Sequence, residues 1–167
     1  MSREHGEDAW DALVDAAEVD GVYTSLGSYP DEELGRLVAA ASAHLGAPAD
    51  DVTRWFGRST MPLFAERYGD LFGAHGSTRS FVLALNDVIH PEVRKLYPGA
   101  ATPAFAFDTG SPTTLLMEYR SARRLCAFAE RLLHGAADHY GERLAIERPR
   151  CLKRGDDRCV LAVTPLA

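Results

Sequence analysis

The hydrophobic periodicity of this chain changes once along its length, and that change decides its fold class. Up to His90 the apolar residues recur at helical spacing; from Ala104 onward they alternate in short runs separated by turn residues. Helices first and strands later predict an α+β fold, with a helical N-terminal lobe packed on a small antiparallel sheet and one long helix inserted between the strand pairs. Residues 8–19 put Trp10, Leu13, Val14 and Ala17 on one helical face. Residues 21–30 read as a loop. Asp31 is placed to cap a helix through Leu45, with Gly46 just past its end. A further helix starts at Pro48 or Asp50, takes in Trp55, Phe56, Leu63, Phe64 and Tyr68, and is expected to kink at Pro62. Residues 77–90 form the next helix. Residues 104–108 and 113–119 flank Thr-Gly-Ser-Pro and predict a hairpin. Residues 123–140 are a long helix, and residues 143–150 and 158–163 make a second hairpin around 153–157.

The chain has 167 residues, which fits one domain spanning 1–167, and its 46% hydrophobic content is enough for a sizeable core. A net charge of −6 and the lack of any Lys/Arg block give no support to nucleic-acid binding. No apolar run is long enough to span a bilayer. The N-terminus is polar and does not read as a secretory signal. Three cysteines do not make a disulfide framework, so a reducing cytoplasm is the expected setting. No nucleophile motif or carboxylate pair stands out, which argues against a hydrolytic enzyme.

Two motifs carry chemistry. Tyr119-Arg120-Ser121-Ala122-Arg123 sets two hydroxyls and a guanidinium at alternating positions, which in an extended segment project to one face. That set suits paired carboxylates or a phosphate; a polar strand edge running into a helix is the plainer alternative. Upstream, His90 closes the helical pattern Phe81, Leu85, Val88, Ile89, so its imidazole is expected to face the interior. Pro91 disfavours the α conformation at His90, so the helix should break or restart there. A histidine on an apolar face is more often a hydrogen-bonded core residue than a ligand. The combination of His90, Pro103 and Tyr-x-Ser-x-Arg is much less common.

That combination resembles the haem-nitric oxide/oxygen-binding (H-NOX) family, the sensor domain also found in soluble guanylate cyclase, over residues 8–163. The resemblance implies haem b between the two lobes, with His90 as the iron ligand. It implies that Pro103 presses on the porphyrin and that Tyr119, Ser121 and Arg123 hold the propionates. It places Phe128 where oxygen-binding members carry a tyrosine, with Thr60, Met61, Phe64 and Leu132 completing a mostly apolar distal wall. Nitric oxide and carbon monoxide are then the expected ligands, since dioxygen would find no hydroxyl donor. In this family nitric oxide is thought to weaken the iron–histidine bond and let the haem relax. The output would be a partner, often a histidine kinase or a cyclic-dinucleotide enzyme in bacterial relatives, and not catalysis by the chain itself.

Relatives usually begin with an extra helix over the distal haem face, and here that helix is expected to be absent. The uncovered face would then be sealed in a homodimer. Some bacterial members hold zinc near the last hairpin, and Cys126, Cys151 and Cys159 are candidate ligands, with His134 or His139 as a fourth. Arg148 stands where a ligating histidine would help, and small buried or redox-reactive thiols are the alternative. A haem carrier with an open distal face and a haem-free small-molecule-binding domain are the two rival readings.

Overall fold

A computed structural model of the chain describes residues 6–24 and 27–167. The polar residues 1–5, and Ser25 and Leu26 of the expected 21–30 loop, lie outside the described residues. The chain divides into two compact units, Met1–Thr53 and Arg54–Ala167.

In the first unit, α1 (Glu7–Ala17) and α2 (Asp31–Leu45) pack on each other. Leu13, Ala41 and Val52 form the buried centre, flanked by Val38, Ala40 and Ala47. Gly46 ends α2 in the left-handed region at φ 62°, where a residue without a Cβ is least strained. Asp31 is not the cap that its sequence position suggests. Pro30 holds that position with no side-chain capping bond, and Asp31, Glu32 and Glu33 instead place negative charge in the first turn, beside the positive end of the helix dipole.

Helix α3 (Ala49–Arg67) continues through Pro62. In the second unit it is followed by α4 (Gly69–Gly73) and α5 (Thr78–Leu83), the latter capped by the Ser77 hydroxyl, which accepts from Ser80 N–H at 3.2 Å. The expected single helix over 77–90 is instead interrupted. Residues Leu85–Ile89 form a π-helical turn, in which Ile89 N–H reaches the Ala84 carbonyl at 3.1 Å, and α6 (His90–Leu96) continues from it. The wider turn rotates the apolar face. Ile89 is buried, whereas Val88, expected inside, is 46% exposed. His90 keeps α-helical angles (φ −65°, ψ −37°) despite the proline after it, so the break lies ahead of the histidine. A π-turn widens the backbone enough to relieve the crowding that a mid-helix proline causes.

Four antiparallel strands follow in the order β1-β2-β4-β3, namely β1 (Ala104–Asp108), β2 (Leu115–Arg120), β3 (Arg143–Arg150) and β4 (Cys159–Leu166). Helix α7 (Cys126–His139) lies between β2 and β3 in sequence and packs across β3. This is the α+β arrangement the periodicity predicts. On β2 every second residue is buried (Leu115, Met117 and Tyr119); Leu115 and Met117 share a core with Leu161, Val163, Leu133, Ala136, Phe81 and Phe72, and Tyr119 packs with Cys126, Ala129, Cys151 and Cys159. Glu118, on the opposite face of β2, pairs with Arg158 at 3.2 Å and Arg120 at 3.3 Å.

Helices α3 and α7 meet through glycines. A Cβ added at Gly57 would lie 2.8 Å from the Phe128 carbonyl oxygen, and one at Gly135 would lie 2.6 Å from Met61 Cβ. Both obstacles are fixed to backbone. Gly57→Ala would gain up to about 1 kcal/mol of helix propensity. Overpacking costs roughly 1–3 kcal/mol, so the variant should lose stability on balance, read as a lower urea midpoint with an unchanged slope.

Candidate functional site

His90 sits at the junction of the π-turn and α6, half-buried. Its ring lies nearly parallel to Phe105 of β1, with centroids 5.5 Å apart. Among the described residues no hydrogen bond or ion pair engages its imidazole. Burial pushes its pKa below the usual histidine value, and the positive charge of Arg94 adds to that, so the ring is neutral near pH 7. The segment around it is tied to β1 from two sides. Asn86 of the π-turn donates to the Phe105 carbonyl at 2.9 Å, and Arg94 of α6 donates to the Thr102 hydroxyl at 2.7 Å, next to half-buried Pro103. Sequence reasoning missed Phe105 and Asn86. The alternation of β1 marks Phe105 as one of a facing set, but only strand pairing shows which set meets His90.

Phe105 pairs with Tyr119 across β1 and β2, with ring centroids 5.8 Å apart, so His90, Phe105 and Tyr119 form one aromatic series. Tyr119 is 3% exposed, and burial raises its pKa. The Ser121 side chain and the Leu125 backbone, both near its hydroxyl, partly offset that rise. The alternation expected for Tyr119, Ser121 and Arg123 does not extend through the motif, because β2 ends at Arg120. A turn then follows, in which Arg123 N–H donates to the Ser121 hydroxyl at 3.2 Å and Arg124 takes a left-handed φ of 51°. The turn, and not strand alternation, brings Ser121 to Tyr119. Arg123 stands exposed.

On the α3–α7 side, Phe128 is half-buried and stacks on Phe56 at 5.4 Å. The Thr60 hydroxyl donates to the Phe56 carbonyl at 2.7 Å. Met61 is 5% exposed beneath Gly135, and Leu132 is half-buried. Phe56, Leu63 and Phe64 leave 40–46% of their surface open along α3.

A separate cluster lies under Tyr119. The sulfurs of Cys126, Cys151 and Cys159 all lie within 4.8 Å of one another and all three residues are buried. Cys126 Sγ is 3.6 Å from Cys151 Sγ, which is 4.0 Å from Cys159 Sγ. Arg148, a residue whose part sequence reasoning left open, closes the cluster. Its Nη1 points at Cys151 Sγ (3.7 Å) and Cys126 Sγ (3.8 Å), while Nη2 pairs with Glu130. Burial pushes the Cys151 thiol up, but Arg148, the Lys153 backbone and the neighbouring thiols outweigh it and lower the pKa to about 7. Burial pushes Cys159 up to about 12 and also raises Cys126. Neither His134 nor His139 joins the cluster. The ring of His139 packs instead against Phe72 and Tyr140.

A family model for haem-NO-binding proteins matches residues 1–148. An H-NOX protein from S. oneidensis in the Fe(II)NO state is 32% identical, with a TM-score of 0.93 over 99% of this chain and 93% of that one. The H-NOX domain from Shewanella oneidensis in the Fe(II)CO state is also 32% identical, with a TM-score of 0.90 over 99% and 92%. An unliganded Fe(II) H-NOX protein from K. algicida shares the fold at 23% identity, with a TM-score of 0.89 over 99% and 90%. This chain belongs to the haem-NO-binding family. As an H-NOX domain it is of a haem-based gas-sensor class.

In this H-NOX domain the cysteine cluster supplies three side-chain donors, so a four-coordinate zinc there would need its fourth ligand from outside the cluster. Among the described residues three sulfurs are the only ligand atoms grouped there, and the guanidinium beside them has no lone pair to offer. The Arg148–Glu130 pair is only about one-sixth exposed (16% and 14%), so removing one partner strands a buried charge. Glu130→Ala should therefore destabilise the domain by on the order of 3 kcal/mol, measured by denaturant unfolding.

The neutral His90 makes stability depend on pH. Its folded pKa lies below the unfolded value, so as pH falls through about 6.5 the unfolded chain takes up a proton that the folded one resists. Stability of the haem-free H-NOX domain should fall between about pH 7 and pH 5.5. His90→Gln should lose less over the same interval; identical slopes for the two proteins would contradict the burial argument.

Proposed function

We propose that this domain is a haem-based sensor that takes nitric oxide and carbon monoxide at ferrous haem b, with His90 as the protein ligand, and passes the event to a partner. The observation that carries this reading is a half-buried, neutral imidazole with no hydrogen-bond partner among the described residues. A buried polar group without a partner calls for an explanation, and a neutral imidazole is the form that ligates iron. The apolar surface left open on Phe56, Leu63 and Phe64, and on Val88 and Leu96, fits a porphyrin's need for cover. Tyr119 and Ser121, with the exposed cation of Arg123, suit carboxylates such as propionates. Pro103, which follows the Thr102 that Arg94 of α6 engages, would press on the same group.

When bound, haem held by His90 would supply a ferrous iron able to bind a diatomic gas. The protein's own residues then set the choice of gas. Phe128 has no hydroxyl, and the Thr60 hydroxyl proton is engaged by the Phe56 carbonyl. Neither offers a hydrogen bond to the partial negative charge of bound dioxygen, whereas nitric oxide and carbon monoxide do not need one. Met61, buried under Gly135, would support this wall from behind, and Phe64 and Leu132 would line it. On the other side, movement of His90 is relayed by the π-turn to β1 through Asn86. The output reaches a partner by that route; a histidine kinase or a cyclic-dinucleotide enzyme fits a sensor with no catalytic group assigned to it.

Electronic spectra of the ferrous protein test the reading. The expected result is a Soret band that shifts with nitric oxide and with carbon monoxide, and no stable oxygen complex in air. His90→Gly should lose the band or recover it only with added imidazole. A normal five-coordinate ferrous spectrum in that variant without imidazole would remove His90 from the iron.

A further inference from the structure

We propose that Cys126, Cys151 and Cys159 form a three-coordinate site for a trivalent thiophilic metalloid of the arsenite class. The three sulfurs come from different elements and are fixed before any ligand arrives. Cys126 opens α7, Cys151 follows β3 and Cys159 opens β4. Cys151 N–H donates to Asp156 Oδ2 at 2.7 Å, and Leu152 N–H donates to Cys159 Sγ at 3.3 Å, so the turn between the strands holds both thiols in place. The sulfurs lie within 4.8 Å of one another, with separations of 3.6 and 4.0 Å across Cys151, close enough for a single central atom to bond all three.

The surroundings limit which atom that is. A tetrahedral ion would have to take its fourth donor from water, since no other side-chain ligand is grouped with the sulfurs among the described residues, and the three cysteines are at most 2% exposed. The guanidinium of Arg148 stands 3.7 and 3.8 Å from two of the sulfurs and is tethered by Glu130, so it occupies space that a fourth ligand would need. Charge narrows the choice further. Three thiolates around a divalent ion leave one net negative charge, and around a monovalent ion they leave two. Arg148 already has a carboxylate to match it, and net charge in a buried site is costly. Three thiolates around a trivalent centre are neutral. Trivalent arsenic makes three bonds and keeps a lone pair, so it needs no fourth ligand.

The chemistry balances without an oxidant. Arsenous acid, As(OH)3, exchanges its three hydroxyls for three cysteine sulfurs. Three As–O and three S–H bonds break, three As–S bonds form, and each thiol proton leaves with a hydroxyl as water. Arsenic stays trivalent and the sulfurs stay reduced. The site is independent of the haem reading, because none of its residues is assigned to the iron or the distal wall.

The test uses the reduced protein and sodium arsenite. Native mass spectrometry should show one arsenic per chain with loss of three protons, and all three cysteines should become resistant to alkylation. Arsenic K-edge absorption should show three sulfur neighbours and no oxygen. Cys159→Ser should lose at least ten-fold in arsenite affinity. Arg148→His, which supplies a nitrogen donor in place of the cation, should gain zinc binding. An arsenic centre with two sulfurs and a retained oxygen in the wild-type protein would overturn the proposal. So would wild-type protein that takes one zinc, or one cobalt(II) with a tetrahedral spectrum, in preference to arsenite. Because two of these readouts use only the wild-type chain, a variant that fails to fold leaves the proposal decidable.

Discussion

Strand β2 is the element on which the rest of the second unit depends. It pairs with β1 on one side and β4 on the other, and its inward positions serve three environments. Leu115 and Met117 enter the main core beside Leu161 and Val163. Tyr119, the next inward residue, packs on the cysteine cluster and touches Phe105, which stacks on His90. A slip of one residue in this strand would turn all three side chains outward. The core, the thiol cluster and the candidate haem clamp therefore share one register.

His90 illustrates how local backbone irregularity and tertiary support are combined. A proline directly after His90 should end a helix, yet helical geometry continues because the preceding turn widens to a π-turn. That turn has poorer hydrogen-bond geometry than an α-helix, and it is fastened to the sheet by Asn86.

The buried cation Arg148 has no place in the haem chemistry, and its burial needs its own explanation. A guanidinium is kept out of water only where partners repay the desolvation. Glu130 supplies one, and the sulfurs of Cys126 and Cys151 supply the rest. The same arrangement brings Cys151 to about 7 while Cys159 is pushed up to about 12. Cys126 and Cys151 both face the cation, at 3.8 and 3.7 Å; Cys151 is lowered because the Lys153 backbone and the neighbouring thiols add to Arg148, whereas burial prevails at Cys126 and Cys159.

Sequence alone determined the order of helices and strands, the α+β class, the end of α2 at Gly46 and the residues that mark the family. Each is local: spacing sets which face is apolar, a glycine takes a left-handed φ, and a motif is contiguous in sequence. The tertiary structure decided what depends on neighbours far along the chain. It placed Phe105 behind His90 through strand pairing, and it brought Ser121 to Tyr119 by a turn that alternation does not foresee. It moved the helix break ahead of His90, since the energy of a π-turn depends on the sheet it is tied to. It also gathered three cysteines around Arg148, because α7, β3 and β4 converge there only once the sheet has closed.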